Sequence, residues 1–320
     1  MRILIYGAGI QGSYLASVLA QNIENEVTLL ARNQRKSDLE AQGLVLYHQL
    51  QRKTTRQRIN VIEELKSQDF YDLVFVTMKY SDFNTVLPIL AGNTSQHIIF
   101  VGNQMDTTGL ATALKAQSQS KKNIAFGFQT TGGTRRAGKI AILRFGTGGL
   151  KVSQPSSAAI EPLLAAAFAT TAFKWKIDSE LDQWLKSHGG FVMILNSLDY
   201  LFQQNDYSKE EKEKIMRLAA AAYPEMFRIL TQNGYSVTPS WFLKLFGKAN
   251  SAYRILRGIY GTSILKMQQG DFAEIVALYA AFDEFKQKKH LNLPNYEKLR
   301  QLALAAYEKN GGGITTKSLK

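Results

Sequence analysis

Residues 2–12 decide the fold, and they read Arg2-Ile3-Leu4-Ile5-Tyr6-Gly7-Ala8-Gly9-Ile10-Gln11-Gly12. An apolar strand runs here into the pattern G-x-G-x-x-G, with a helix expected to follow. The first glycine permits a tight turn, the second lets the backbone approach a pyrophosphate, and the third lets the helix pack closely on the strand. Helix N–H groups and the helix dipole favour an anion there. We therefore predict that residues 7–12 bind a dinucleotide; the alternative is a glycine-rich turn without a ligand.

The composition is that of an ordinary globular protein. The chain has 320 residues, 45% of them apolar and 20% charged, which suits about two domains. No apolar run reaches about 18 residues, so we expect no membrane span, and the glycines at 7 and 9 argue against a signal peptide. The absence of cysteine excludes disulfides, thiolate metal sites and a cysteine nucleophile. Zero cysteines also fit a cytoplasmic protein, which we expect here. The four histidines show no metal-ligand spacing, so we expect no metal.

The net charge of +13 raises the question of nucleic-acid binding. The basic residues are spread along the chain, and the densest patch, residues 52–58, has no interleaved aromatic side chain and no recognition motif. We therefore predict no nucleic-acid partner. A solvated basic surface that attracts an anionic cofactor and substrate is the better interpretation.

The first part of the chain alternates apolar strands with helical stretches, which predicts a parallel sheet covered on both faces. The predicted strands are 2–6, 27–31, 73–77, 98–101, 124–128 and 142–145. The predicted helices are 10–21, 37–42 and 82–91. Glycines cluster between residues 127 and 149, and this region is predicted to form antiparallel strands and turns that close the sheet edge.

The pattern changes after Lys176 to long amphipathic segments. These predict helices at 180–203, 209–232, 240–246, 271–289 and 296–310. The fold class is therefore α/β, with an N-terminal Rossmann dinucleotide-binding domain over residues 1–176 and an all-α substrate domain over residues 177–320. We expect the active site in the cleft between them, facing the carboxyl ends of the strands.

The end of the second strand indicates which nicotinamide cofactor is bound. An NAD-binding fold usually carries an acidic residue about 20 positions after the glycines, where it binds the ribose 2′-OH. Here Arg32 stands there, with Arg35 and Lys36 beyond. Because a guanidinium pairs with a 2′-phosphate, the sequence favours NADP(H) over NAD(H). An ordinary loop arginine would look the same.

Two polar residues follow later strands. Lys79 comes after Val76-Thr77-Met78, where it contacts a cofactor or merely caps a strand at the surface. Asn103 comes after Gly102, which is typical of turn chemistry but also suits an amide pointing at the nicotinamide end of the cofactor. The residues themselves leave both alternatives open.

These pieces together resemble the ketopantoate reductases (2-dehydropantoate 2-reductases) over nearly the whole chain. In chain order the marks are residues 7–12, Ala31-Arg32, 76–79, Gly102-Asn103, Thr130-Thr131-Gly132, 180–186, Thr262-Ser263-Ile264-Leu265 and Ala273-Glu274-Ile275. The resemblance implies NADPH-dependent reduction of a 2-keto acid to a 2-hydroxy acid. In that family the step converts 2-dehydropantoate to pantoate in pantothenate biosynthesis, and the resemblance is compatible with a homodimer.

The resemblance implies that Lys186, Glu274 and Asn103 are catalytic. Hydride transfer builds negative charge on a carbonyl oxygen, which a lysine ammonium can stabilise and protonate. For Lys186 the alternative is an exposed helical lysine. However, Gly189 and Gly190 share its helix face, and each costs roughly 1 kcal/mol there, which indicates that something approaches the helix closely. For Glu274 the alternative is a capping box begun by Asp271.

The resemblance also implies binding roles. It places Lys79, Asn103 and Thr131 with the cofactor. It places the substrate at Thr262, Ser263, Gly190 and Glu274.

The chain departs from the family on the lysine helix, where Gly190 and Ile194 replace amide side chains. We expect Gly190 to leave room for a bulkier substrate and Ile194 to make the pocket more apolar. These changes would suit a related dehydrogenase that acts on an opine-like or bulkier keto-acid substrate. A second rival hypothesis is a non-catalytic NADP-binding sensor.

Overall fold

The computed structural model describes residues 1–136, 139–260 and 271–312. These residues form two compact units. Unit 1 comprises Met1–Gly102 and Asp106–Leu181, and unit 2 comprises Asn103–Met105 together with 182–260 and 271–312. No helix in these described ranges is long and apolar enough to cross a membrane.

All the described strands belong to unit 1. In chain order they are β1 (Arg2–Tyr6), β2 (Glu26–Leu30), β3 (Leu44–His48), β4 (Lys53–Gln57), β5 (Asn60–Ile62), β6 (Leu73–Val76), β7 (His97–Val101), β8 (Asn123–Gln129), β9 (Gly132–Arg136), β10 (Lys139–Leu143), β11 (Gly149–Val152) and β12 (Lys174–Ile177). The helices of this unit are α1 (Ile10–Leu19), α2 (Asn33–Gln42), α3 (Phe83–Gly92), α4 (Thr107–Gln117) and α5 (Ile160–Phe168).

The larger sheet has the order β12-β11-β8-β7-β6-β1-β2-β5. From β5 to β8 its neighbours are parallel, as the buried apolar strands predict. The chain leaves β1 toward β2 on one side and returns as β6 on the other, so the strand order reverses beside β1. In such sheets the ligand site lies at the carboxyl ends of the strands at that reversal, where the glycine turn follows β1.

The glycine-rich region differs in part from the prediction. Its last strand, β11, does extend the large sheet by pairing antiparallel with β8. In contrast, β9 and β10 form a hairpin in a second sheet of order β4-β3-β10-β9, so the prediction that they close the edge is wrong. Apolar residues of β3 and β10 share one buried core with α1 and with strands β1, β2 and β6 of the large sheet.

Unit 2 is helical. Its helices are α6 (Leu181–Gln204, which begins at the last residue of unit 1), α7 (Lys209–Gln232), α8 (Trp241–Phe246), α9 (Ala249–Tyr260), α10 (Phe272–Gln287) and α11 (Pro294–Lys309). A reciprocal cap starts α7, because Glu211 N–H donates to Ser208 Oγ at 3.2 Å and Ser208 N–H donates to Glu211 Oε2 at 2.8 Å. With an α/β sheet region followed by helices, the predicted fold class is confirmed.

Candidate functional site

The glycine turn of unit 1 has a different construction at each glycine. Gly7 has φ +123°, which an L side chain rarely adopts. A Cβ at Gly12 would overlap Gly7 O and Thr77 Oγ1, so that position carries the close contact of helix with strand. A Cβ at Gly9 would meet no described atom within 4 Å, and Gly9 caps α1 without a side-chain hydrogen bond. The start of α1 is therefore open to a phosphate.

Two side chains from outside the turn hold its backbone. Thr77, which follows β6, donates from Oγ1 to Gly7 O at 2.8 Å, and its N–H donates to Tyr6 O at 2.9 Å. Arg35, in the first turn of α2, donates from Nε to Ala8 O at 3.2 Å. Neither role is predictable from the sequence, because both contacts cross between separate elements.

Arg32 lies at the N-cap of α2, just beyond β2, as predicted. Its side chain is exposed, and Nη2 donates to the Tyr6 hydroxyl at 3.0 Å. Tyr6 is the last residue before the glycine turn. The guanidinium is therefore held beside the turn, where it can meet an anion.

The other predicted cofactor residues of unit 1 also follow strands. Lys79 is exposed and precedes the short 3₁₀ turn Tyr80–Asp82 beyond β6. Thr131 follows β8, and its Oγ1 accepts a hydrogen bond from Gln129 Nε2 at 2.5 Å. Gln129 is fully buried and also donates to Gln11 O at 3.3 Å, which ties the end of β8 to the first turn of α1. The role of Gln129 was not predicted from the sequence.

In unit 2, Lys186 is held on α6 with 3% of its surface exposed. Its Nζ lies 2.6 Å from Asp182 Oδ1, one helical turn earlier, and 4.7 Å from the centre of the Tyr235 ring. Burial of an ammonium is costly unless it is paired, and the carboxylate and the ring both compensate the charge. The spacing of four residues made Asp182 predictable as a helix-face partner, whereas no feature of the sequence brings Tyr235 to this position.

Glu274 and Asn103 are also brought together. Asn103 Nδ2 donates to Glu274 Oε1 at 3.0 Å, and Asn103 Oδ1 is buried with no hydrogen-bond partner among the described residues. At the start of α10, Asp271 accepts from Ala273 N–H at 2.9 Å, so Asp271 is the helix cap that the sequence suggested. Glu274 thus lies in a capped first turn and also binds Asn103.

The lysine and the amide–carboxylate pair share one set of packing contacts. A Cβ at Gly189 would overlap Met105 Cε and would lie 3.5 Å from Leu278 Cδ2. Gly189 is one turn beyond Lys186, Met105 is two residues after Asn103, and Leu278 is one turn beyond Glu274. The three elements that carry the predicted catalytic residues therefore meet at the Gly189 position. The close approach predicted beside Lys186 is that of Met105.

The expectation for Gly190 is wrong. A Cβ at Gly190 would overlap Met226 Sδ and would lie 2.8 Å from Phe282 Cζ. Packed side chains therefore occupy the space that was expected to receive a bulkier substrate. Ile194, one turn further, is fully buried in the same helical unit. The glycine serves helix packing. Thr262 and Ser263 lie outside the described residues.

The first 156 residues include a match to a known protein family. A model of the family described as ketopantoate reductase PanE/ApbA matches residues 3–156. The predicted resemblance to ketopantoate reductases is confirmed. The comparison with curated proteins finds no match.

Solved structures with the same fold cover almost the whole chain. A PanE/ApbA family ketopantoate reductase from Ralstonia eutropha JMP134 is 19% identical, covers 97% of this chain and 100% of its own, and has a TM-score of 0.71. D-mandelate dehydrogenase, solved with NADH and anilino(oxo)acetate, is 15% identical, with 98% and 100% covered and a TM-score of 0.71. A dimeric ketopantoate reductase from Staphylococcus aureus is 12% identical, with 97% and 100% covered and a TM-score of 0.63. At such identities the likeness establishes the fold alone.

Proposed function

We propose that this protein reduces a 2-keto acid to a 2-hydroxy acid with NADPH, in the manner of a ketopantoate reductase. The observation that carries the proposal is the Lys186 ammonium, buried and held at 2.6 Å by Asp182 in a helix whose next turn meets the Asn103 segment. An ordinary helical lysine would extend into solvent. A buried, positioned cation suits the developing charge of a carbonyl reduction.

The glycine turn fits the phosphates of a dinucleotide, since Gly9 leaves the start of α1 open. We assign the pyrophosphate to residues 7–12, the 2′-phosphate of NADPH to Arg32, and further cofactor contacts to Lys79, Asn103 and Thr131. When bound, the reduced nicotinamide supplies a hydride to the carbonyl carbon of the keto acid. The match of residues 3–156 to the reductase family supports this assignment.

Lys186 completes the reduction at oxygen. As the carbonyl carbon gains a hydride, the electron pair of the C=O π bond moves to oxygen, and the Nζ–H of Lys186 donates a proton to it. The product is a secondary alcohol, and the lysine regains its proton from solvent. Asp182 and the Tyr235 ring keep the ammonium in place during this transfer.

Asn103 and Glu274 are assigned to the substrate and the product hydroxyl. The Asn103 amide donates to Glu274, which leaves Asn103 Oδ1 to accept from a hydroxyl or from the lysine ammonium. A carboxylate at position 274 accepts a hydrogen bond from a hydroxylated substrate. We further propose that Thr262 and Ser263 contribute substrate contacts, as the family resemblance implies.

The specific substrate we propose is 2-dehydropantoate, which would place the protein in pantothenate biosynthesis. We further propose that it acts in the cytoplasm and as a homodimer. The alternative is a bulkier 2-keto acid. The fold similarity to D-mandelate dehydrogenase, equal in TM-score to that of the Ralstonia eutropha reductase, favours including aromatic keto acids. Gly190 no longer supports the alternative, because Met226 and Phe282 fill the space beside it.

The test is turnover with NADPH and a panel of 2-keto acids that includes 2-dehydropantoate, an aromatic 2-keto acid and an opine precursor. We expect Lys186→Ala to lower kcat on the best substrate by about 10²- to 10⁴-fold and to leave NADPH affinity unchanged. The matched control is Lys214→Ala. Lys214 also forms an ion pair four residues away on a unit 2 helix, with Glu210 at 2.7 Å, but its side chain is 71% exposed.

Three outcomes would contradict parts of the proposal. Near-normal turnover of Lys186→Ala would refute the role of the lysine. Turnover of other keto acids without turnover of 2-dehydropantoate would refute the specific substrate but not the reaction class. Tight NADPH binding with no turnover of any keto acid would favour the non-catalytic sensor.

A further inference from the structure

Lys186 is enclosed at the very atom that has to exchange protons. Its side chain is only 3% exposed. Its Nζ lies 4.7 Å from the centre of the Tyr235 ring, an aromatic face that carries no proton to give. A lysine that protonates a substrate must regain a proton before it can act again. The burial of Lys186 therefore raises the question of how that proton reaches it.

The segment that covers the lysine is fastened to α6. It comprises residues 233–240, between α7 and α8. The N–H of Ser236 donates to Gln183 Oε1 at 2.8 Å, and the N–H of Thr238 donates to Ser187 Oγ at 3.1 Å. These two acceptors lie on either side of the lysine along α6. The cover is thus a fixed part of unit 2, and it keeps the ammonium away from bulk water.

Asp182 contacts both the enclosed ammonium and the solvent. Its Oδ1 lies 2.6 Å from Lys186 Nζ, while its side chain is 40% exposed. It belongs to the first turn of α6, four residues before the lysine, which is the favourable order for an acid and a lysine on a helix. One carboxyl group therefore joins the buried nitrogen to water.

We propose that Asp182 returns a proton to Lys186 after each turnover. This inference rests on the proposed function. When Lys186 has protonated the alkoxide oxygen, its Nζ is a neutral amine with a lone pair. The exposed carboxylate of Asp182 then takes a proton from a hydronium ion or from a buffer acid. A rotation of the carboxyl group presents this proton to Nζ, which accepts it, so that the ammonium and the carboxylate are both restored.

A second ion pair with the same spacing has no such task. On α7, Lys214 Nζ lies 2.7 Å from Glu210 Oε1, four residues earlier, and the two side chains are 71% and 78% exposed. Water reaches this lysine directly, so its acid has no proton to deliver. An exposed pair of this kind also contributes little to stability. Glu210 is therefore the matched control for Asp182.

The experiment follows NADPH oxidation by the full chain in a stopped-flow instrument, with the best 2-keto acid of the substrate panel. The variant Asp182→Asn keeps an oxygen acceptor beside Nζ but cannot carry the proton. We expect its first turnover to stay within about threefold of the wild-type rate, because the lysine begins as an ammonium. Its steady-state rate should fall about 10²-fold. The control Glu210→Gln should change neither rate by more than about twofold.

A second measurement asks whether an external acid replaces the carboxyl group. The variant Asp182→Ala removes the side chain beyond Cβ and leaves room for a small carboxylic acid. We expect acetate in the buffer to raise its steady-state rate about tenfold, and chloride at the same ionic strength to leave that rate unchanged. A carboxylate that only positions the lysine would not be replaced by a freely diffusing proton donor.

The outcomes separate this inference from the function on which it rests. If Asp182→Asn slows the first turnover and the steady state equally, and acetate restores nothing, the inference is wrong and the reductase proposal stands. An unchanged steady-state rate in both Asp182 variants would overturn it too. A wild-type protein that oxidises NADPH with no keto acid of the panel would overturn both proposals. Circular dichroism shows whether Asp182→Asn keeps the fold, and Asp182→Ala decides the question if it does not.

Discussion

Gly9 of the glycine turn and the glycine pair of α6 all lie in or at the end of a helix, but their surroundings are opposite. At Gly9 a Cβ would meet no described atom within 4 Å, so the backbone is open to a ligand. At Gly189 and Gly190 a Cβ would overlap Met105 and Met226, so other side chains already fill the space. In both places the glycine lets another group come close to the backbone. Only the surroundings decide whether the approaching group is a ligand or the protein itself.

The comparison also explains why the substrate expectation failed. Gly190 was expected to leave room for substrate because it replaces the amide side chain of the ketopantoate reductases. In this chain Met226 and Phe282 occupy the space beside Gly190. Since protein interiors are close-packed, a small residue on a buried helix face is usually matched by a larger neighbour.

Gly12→Ala should have the largest effect on stability. Its Cβ would overlap Gly7 O and Thr77 Oγ1, and the backbone oxygen of a strained turn cannot move aside cheaply. We expect the free energy of unfolding to fall by about 3 kcal/mol, measured by urea denaturation followed by circular dichroism. A variant as stable as the wild type would show that α1 does not need this close contact with β1.

Gly190→Ala should have an intermediate effect on stability. The new methyl group gains about 1 kcal/mol of helix propensity but must displace Met226 Sδ and Phe282 Cζ, at a cost of about 1–3 kcal/mol. We expect a net loss of about 1 kcal/mol in urea denaturation.

The matched control for Gly190→Ala is Gly258→Ala. Gly258 lies in α9, exposed, with no described atom within 4 Å of an added Cβ. We expect it to gain about 1 kcal/mol, since helix propensity acts there without a clash. If both alanine variants gain stability equally, the packing argument for Gly190 fails.

Gly9→Ala should leave stability nearly unchanged and act on the ligand instead. Gly9 has φ −72°, which alanine adopts, and its Cβ would stand in the open space before α1. We expect the Kd for NADPH to rise about tenfold in a calorimetric titration, because the methyl group keeps the pyrophosphate from the backbone. Unchanged affinity together with unchanged stability would mean that the phosphates do not approach Gly9.

Local patterns predicted much of the fold. The strand and helix around the glycine turn, and the helix at 209–232, are defined by nearby residues: apolar runs, the glycines and the cap formed by Ser208 and Glu211. The strand β4 was missed, because its residues Lys53–Gln57 read as a solvated basic patch. It forms as an edge strand by pairing with β3, which the polar sequence alone does not indicate.

The candidate site also contains some contacts that the sequence predicts and others that it does not. Lys186 was predicted from family resemblance and from its glycine neighbours, and Asp182 was predictable from the helical spacing of four. The hydrogen bond between Asn103 and Glu274 joins residues 171 positions apart. No periodicity encodes such a contact, because it depends on how several elements pack.

The sequence by itself determined that a dinucleotide-type glycine turn follows the first strand, that helices dominate after Lys176, and that a cation follows the second strand. These features depend on backbone preferences and on residues within a few turns of one another. The tertiary structure alone decided that Gly190 packs against side chains, that Tyr235 covers Lys186, and that Asn103 binds Glu274. Each of these depends on a distance between residues far apart in the chain, which only the packing of the whole unit sets.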